Sequence, residues 1–443
     1  MCKIKHLMIM VASAVSIIVL SAPVQSLAQM PTPDYSGSLW TRSTLTGDWG
    51  GVRNDLAKKG ITFKASVTEI YQGNFTDGRP TGPWWRGGDG DTYWRNSGTA
   101  DYEMDLDFGK LGLWPGGFLK VRGMSNYRKS INNKAGSLMP VNSDALFPWP
   151  NGNYTGLTDF LFMQFLSKNF GLLAGKMNTL TGDANEFAHD YKTQFLNTAF
   201  LVNPVTFRTV PYSTVAIGAV FLNKVAEFNF NVMDTEGSAI KSGTKTVMHN
   251  GTTVASQVRF KTCIAGLPGH QLFGGTWSNK KFNNLDQDPR TVLSQILRRG
   301  RNIPLKTYKD SWCFFYNMDH YLYLKEGSKD EGVGVFARYG VSDGKANSIK
   351  YFASFGIGGK GLIPGRCQDT FGVGYYHAWL SNQIPDIAYR FLLNGNEQGG
   401  ELYYNIYLTP WVQITPDLQI IQSADQRVDN TVIVGGLRMQ LNF

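Results

Sequence analysis

In the stretch Asp101-Tyr-Glu-Met-Asp-Leu-Asp-Phe108, four carboxylates (Asp101, Glu103, Asp105 and Asp107) alternate with Tyr102, Met104, Leu106 and Phe108. Further along, Lys120 and Arg122 alternate with Leu119 and Val121. Carboxylates accept hydrogen bonds and Lys and Arg donate them, so a surface carrying both can trade partners with a polar solute reversibly. That chemistry needs both sets on one face. An extended strand supplies it, because successive side chains point to opposite sides, whereas a helix would spread these carboxylates around its axis. Neighbouring strands would then bring the two signs together across the sheet.

The same period of two recurs. Glu227, Asn229 and Asn231 oppose Phe228, Phe230 and Val232, and Gln413, Thr415, Asp417 and Gln419 oppose Val412, Ile414, Leu418 and Ile420. Carried along the chain, the parity adds Lys64, Arg95, Gln257, Arg259, Lys261, Asn317, Asp319, Arg338, Glu401 and Asn405 to the polar face. Glu69 breaks it, sharing parity with Ile61, Phe63 and Val67.

The chain has 443 residues, 42% hydrophobic, 13% aromatic and 17% charged, which excludes disorder. After the N-terminal segment no apolar run reaches the length of a spanning helix, so a multi-span helical protein is excluded as well. A large soluble protein or a transmembrane barrel remains. Lys3 and Lys5, the apolar stretch Leu7 to Leu20 and the small residues Ser26-Leu27-Ala28 read as an export signal over residues 1–28. The net charge of +9 is scattered, with no basic run, so nucleic acid is not an expected partner. Cys263, Cys313 and Cys367 are widely spaced, implying neither a disulfide framework nor a metal site, and no cofactor is expected.

Strands are predicted at 61–75, 95–110, 117–129, 157–168, 171–180, 213–222, 225–234 and 253–264. Eight more follow at 270–279, 311–325, 332–341, 349–360, 370–380, 400–409, 411–421 and 431–443. Their connections alternate long and short, the asymmetry of outer-membrane barrels. The final strand puts Ile433, Gly435, Leu437, Met439, Leu441 and Phe443 on one parity, against Arg438, Gln440 and Asn442. The expected fold is therefore all-β: a 16-stranded antiparallel transmembrane β-barrel over residues 61–443. A short periplasmic helix, Asp48 to Gly60 with Asp48 as N-cap, is expected within the N-terminal segment 29–60. Backbone facing lipid must be paired, so the sheet must close, and sixteen strands leave a water-filled channel.

Several motifs now carry a resemblance. Leu45-Thr-Gly-Asp-Trp-Gly-Gly-Val-Arg53, Gly109-Lys-Leu-Gly-Leu-Trp-Pro-Gly-Gly117, Gly361-Leu-Ile-Pro-Gly-Arg366, Thr415-Pro-Asp-Leu-Gln419 and Gly436-Leu-Arg438 follow one another in this order. In order and spacing the chain resembles the carbohydrate-selective porin family OprB. Two departures, Ile420-Ile-Gln-Ser-Ala424 and Cys367, fall in turns or loops. The resemblance implies an integral protein of the bacterial outer membrane that passes monosaccharides and related small solutes passively, with sugars and outer-membrane lipid as partners. The terminal Phe443 resembles the signal read by the barrel-assembly machinery.

On this reading Arg95, Asp101, Glu103, Asp105, Asp107, Lys120, Arg122, Arg259, Lys261, Asp319 and Arg338 line the pore. The long connection Thr181 to Tyr212 carries Asp183, Glu186, Phe187 and Tyr191 as candidates for a constriction. Its apolar content fits two placements: folded inward with an aromatic presented to the solute, or packed as a lid at the outer mouth. Two other functions stay open. A general or ion-selective porin without sugar preference is suggested by the positive charge, and a barrel enzyme would need a lipid-facing Ser, His and acid that the sequence does not assemble. Gly356-Ile-Gly-Gly-Lys-Gly361 lacks the spacing of a phosphate loop, Asp319-His320 lacks a nucleophile, and Asp286-Gln-Asp288 lacks the glycine and distal glutamate of a calcium loop.

Overall fold

A computed structural model describes residues 29–76, 94–150, 152–291, 305–387, 392–426 and 430–443. The expected export signal lies outside the described residues. Period-two segments become strands β1 (Ile61–Asn74), β2 (Trp94–Asp107), β3 (Gly117–Arg128), β4 (Tyr154–Phe165), β5 (Phe170–Asn178) and β6 (Ser213–Leu222). β7 (Ala226–Asp234), β8 (Thr252–Ile264) and β9 (Leu267–Ser278) follow. A small hairpin of β10 (Phe282–Asn283) and β11 (Thr307–Tyr308), unforeseen in the sequence, stands apart from the main sheet. The rest are β12 (Ser311–Leu324), β13 (Gly332–Ser342), β14 (Ile349–Lys360), β15 (Thr370–Leu380), β16 (Glu397–Thr409), β17 (Val412–Gln422) and β18 (Thr431–Asn442).

Sixteen of these form one closed barrel, each antiparallel to its neighbours, with β1 sealed to β18 from Ser66↔Asn442 to Asn74↔Val434. No sheet edge is left facing lipid. The outer face carries the apolar half of the alternation: Tyr102, Phe160, Phe273, Phe314, Phe355, Val373, Leu402 and Leu437 are all exposed. Among the described residues no helix is long and apolar enough to cross a membrane. Glu69 is accommodated on the outer face in the second half of β1. It accepts from Tyr127 Oη at 2.7 Å and pairs with Arg128 at 2.8 Å.

One end of the barrel has short turns and holds the N-terminal segment. Helix α1 (Val52–Lys58) starts later than expected: its N-cap is Gly51, in a left-handed conformation, and Asp48 instead accepts from the Gly50 N–H at 3.2 Å. Asp48 is thus not the N-cap, because the chain turns at Gly51, where φ is 95°, before the helix begins. Gly60 ends it with φ 89°. Arg53 of α1 is buried and donates to the carbonyl oxygens of Phe63 at 2.7 Å and Phe443 at 2.9 Å, with its guanidinium 3.8 Å from the Tyr35 ring centroid. One side chain therefore ties the N-terminal segment to the first and last strands.

Candidate functional site: a loop-constricted channel

The inner face of β1–β3 is a ladder of opposite charges. Lys64 pairs with Glu103 at 2.6 Å and with Asp105 at 2.9 Å, Lys120 with Glu103 at 3.2 Å, and Arg122 with Asp101 at 2.6 Å. The register explains it: Lys64 lies opposite Glu103, which lies opposite Arg122, and Asp105 lies opposite Lys120. A second cluster sits on β7 and β8, where Glu227 meets Lys261 at 3.0 Å and Arg259 at 3.7 Å. Next to it, His270 Nδ1 lies 2.7 Å from Asp319 of β12. Arg95 keeps the parity of Asp101 near the far end of β2, opposite Gln72.

The long connection between β5 and β6 crosses the lumen. Its Asp183 is held by Arg338 of β13, and its Lys192 by Asp101 of β2. From β2 through β1, β18, β17, β16, β15 and β14 to β13 is seven steps around a ring of sixteen, so the two anchors stand nearly opposite. Between them Glu401 accepts from the Leu196 and Asn197 N–H groups at 2.6 and 2.8 Å, and Arg438 donates to the carbonyl oxygens of Tyr191 and Gln194, both at 2.8 Å. Glu186 is reached by Tyr321 Oη at 3.0 Å. The inward placement is the one adopted.

The loop's aromatic rings are used differently from the expectation. Phe187, Tyr191, Phe195 and Phe200 are all buried, so none is presented to a solute. Phe187, Phe195 and Phe200 pack on an apolar inner wall that includes Phe336, Tyr376 and Tyr403, while Tyr191 packs beside Phe147. Inward glycines give them room: a Cβ on Gly374 would lie 2.6 Å from the Phe200 ring, and one on Gly358 2.7 Å from Phe187 Cβ. The lumen is polar only along part of its circumference.

Five residues differ from the reading as freely exposed pore lining, since Asp101, Asp105, Asp107, Asp319 and Arg338 are all buried. Arg338 is fully buried, its guanidinium enclosed between Asp183 and the Ala188 carbonyl oxygen. Asp107, 1% exposed, ends its strand and accepts from the N–H groups of Met30, Gly109 and Lys110, bracing the short-turn end. Its place as the last residue of β2 decides its role, because the turn that follows folds back onto its carboxylate.

A second inward loop was missed. The connection between β3 and β4 includes α2 (Asn132–Ala135) and is fastened by Glu397, which accepts from Ser137 Oγ and the Met139 N–H, both at 2.8 Å. Its Asp144 is completely buried and accepts from Thr99 Oγ1 at 2.8 and 2.9 Å; burial pushes its carboxyl up to about 6. The apolar run Ile131, Ala135, Leu138, Met139, Val141, Ala145 and Phe147 was the available signal.

With a loop laid across a sixteen-stranded barrel, the architecture is that of a channel with a constriction. Residues 92–443 match the family described as carbohydrate-selective porin, OprB family. The chain belongs to this family. It is accordingly an outer-membrane porin, a channel and not an enzyme. Among curated proteins it is 22% identical to Porin B of Pseudomonas aeruginosa, over 90% of this chain and 91% of that one. It is 21% identical to the putative porin QuiX of Acinetobacter baylyi, over 91% and 93%. A high-pH structure of Pseudomonas putida OprB superimposes with a TM-score of 0.78 at 20% identity, covering 92% of this chain and all of that one, which shows the shared fold.

Proposed function

We propose that monosaccharides and related small solutes diffuse passively along the charged part of the lumen. On this reading Lys64, Glu103, Asp105, Lys120 and Arg122 on one side face Glu227, Arg259 and Lys261 on the other, and the crossing loop forces solutes between them. The observation that carries it is the loop's attachment to opposite walls at Arg338 and Asp101, which covers the apolar wall and leaves the charged stripes. Carboxylates accept from sugar hydroxyls while Lys and Arg donate to sugar oxygens. Most of these groups are already paired with one another, so each replaces only part of a solute's hydration shell, and exit stays as easy as entry. Arg95 and the Asp319–His270 pair border this path.

A general or ion-selective porin is the second reading, favoured by the formal charge of +9. Planar-bilayer recordings separate the two: sugar selectivity requires glucose to block ion current reversibly, and a current indifferent to glucose at high millimolar levels points to ion passage alone.

The export signal over residues 1–28, lipid contact along the outer apolar band, and recognition of Phe443 by the barrel-assembly machinery belong to the same reading. Deleting Phe443 should lower the amount of folded protein in outer membranes, measured as the heat-modifiable band in a gel.

A further inference from the structure

Beyond the charged ladder, the end of the barrel with the long loops carries a separate basic cavity. It has a volume of about 360 Å³ and is lined among others by Phe207 and Arg208 of the crossing loop and by Lys280, Lys281 and Asn283 just past β9. The neighbouring Thr209 fixes its position. Its hydroxyl lies 2.6 Å from Thr276 Oγ1, and its carbonyl oxygen accepts from Thr253 Oγ1 at 2.8 Å, at the tops of β9 and β8. The cavity therefore lies at the end of the barrel with the long loops, beside the channel's outer mouth.

Its charges are incompletely balanced. Lys280 pairs with Glu236 at 3.3 Å, but among the described residues neither Arg208 nor Lys281 pairs with a carboxylate. The Arg208 guanidinium rests 5.1 Å from the centroid of the buried Phe282 ring. The nearest acid to weigh on it, Asp343, is engaged by Ser311 Oγ at 2.5 Å and by the N–H groups of Trp312, Lys345 and Ala346. Partial burial pushes the Arg208 guanidinium below its ordinary value, as expected for a cation short of counter-charge. Beside it Phe207 is an apolar ring 43% exposed.

We propose that this cavity captures monosaccharides bearing a carboxylate, sugar acids, at the outer mouth before they enter the channel. A planar guanidinium accepts a carboxylate through two parallel hydrogen bonds, and Lys281 adds a point charge. Asn283 offers both a donor and an acceptor to ring hydroxyls. The Phe207 ring covers the C–H face that these polar contacts leave, and the volume lies at the lower end of small-molecule sites, the size of one sugar ring. Capture depends on the sugar-porin reading only for what happens next, passage inward.

The test uses the full-length protein in planar bilayers of neutral lipid, with glucuronate or glucose added on the outer-mouth side and half-blocking concentrations measured for each. Wild type should be blocked by glucuronate at a concentration about tenfold lower than by glucose, and Arg208→Gln with Lys281→Gln should erase that preference. Lys281→Glu alone, at an exposed position, should weaken glucuronate block in the same direction. An unchanged glucuronate-to-glucose ratio in both variants overturns capture while leaving the porin reading intact. Block by neither sugar overturns the sugar-porin reading, and equilibrium binding of radiolabelled glucuronate to detergent-solubilised protein, lost in the double variant, then decides capture by itself. A variant effect seen only when lipopolysaccharide is added to the bilayer assigns the cations to lipid phosphates and also overturns the proposal.

Discussion

Arg338 grips Asp183 through two parallel hydrogen bonds, Nε to one carboxylate oxygen at 3.1 Å and Nη2 to the other at 2.7 Å, with the guanidinium wholly buried. This fork fixes one end of the loop that divides the lumen. Its cost is desolvation, so removing one partner leaves a buried charge uncompensated and should weaken the loop's seat by about 3–5 kcal/mol.

Arg338→Met should therefore release the first part of the loop while the barrel, closed by backbone pairing, persists. Single-channel conductance is expected to rise and to fluctuate between levels. A single level at the wild-type value would show that the loop holds without this pair.

Packing supplies an independent anchor. Gly374→Val would drive a side chain into the Phe200 ring, where even a Cβ lies 2.6 Å away. Overpacking costs about 1–3 kcal/mol. The expected outcome is a conductance increase like that of Arg338→Met but smaller, together with faster proteolysis within 179–212.

Charge in the open stripe sets ion preference. Glu103→Gln should move the reversal potential toward anion selectivity and Lys261→Gln toward cation selectivity, since each removes one sign from the wall. The shifts should shrink as salt rises, because screening shortens the reach of either charge.

Asp144 gives a pH dependence. Its folded carboxyl, pushed up to about 6 from 3.8 by burial, binds a proton that the unfolded chain has already released. Its contribution is therefore most favourable below pH 4, declines as pH rises, and is fully lost above pH 6. The difference of roughly 2 pK units corresponds to about 3 kcal/mol. Asp144→Asn should remove this component: its stability advantage over wild type in detergent unfolding should be larger at pH 7.5 than at pH 4.

Much of the wall was legible because the membrane imposes one rule on every strand: apolar outside, paired backbone throughout. That rule located β6, β14 and β15 to the residue and predicted the face of Asp101, Glu103 and Arg122. It fails on the inner side of β13–β16, where Phe336, Tyr376 and Tyr403 point inward to receive Phe195 and Phe200. Those inward rings obey loop packing, which no strand period encodes. The same reason hid Glu397. It lies just ahead of the segment that alternates clearly, and its role comes from a loop more than 250 residues earlier in the chain. Parity assigned Arg338 to the correct face but could not reveal that a loop would cover it.

Passage of sugar through the charged stripe is tested most directly by swelling of liposomes containing the purified protein, in isotonic solutions of monosaccharides, disaccharides and salts. The account predicts rapid swelling in glucose and its stereoisomers, slower swelling in disaccharides, and faster, less size-selective swelling for Arg338→Met. Vesicles that conduct ions yet do not swell in any monosaccharide would contradict it.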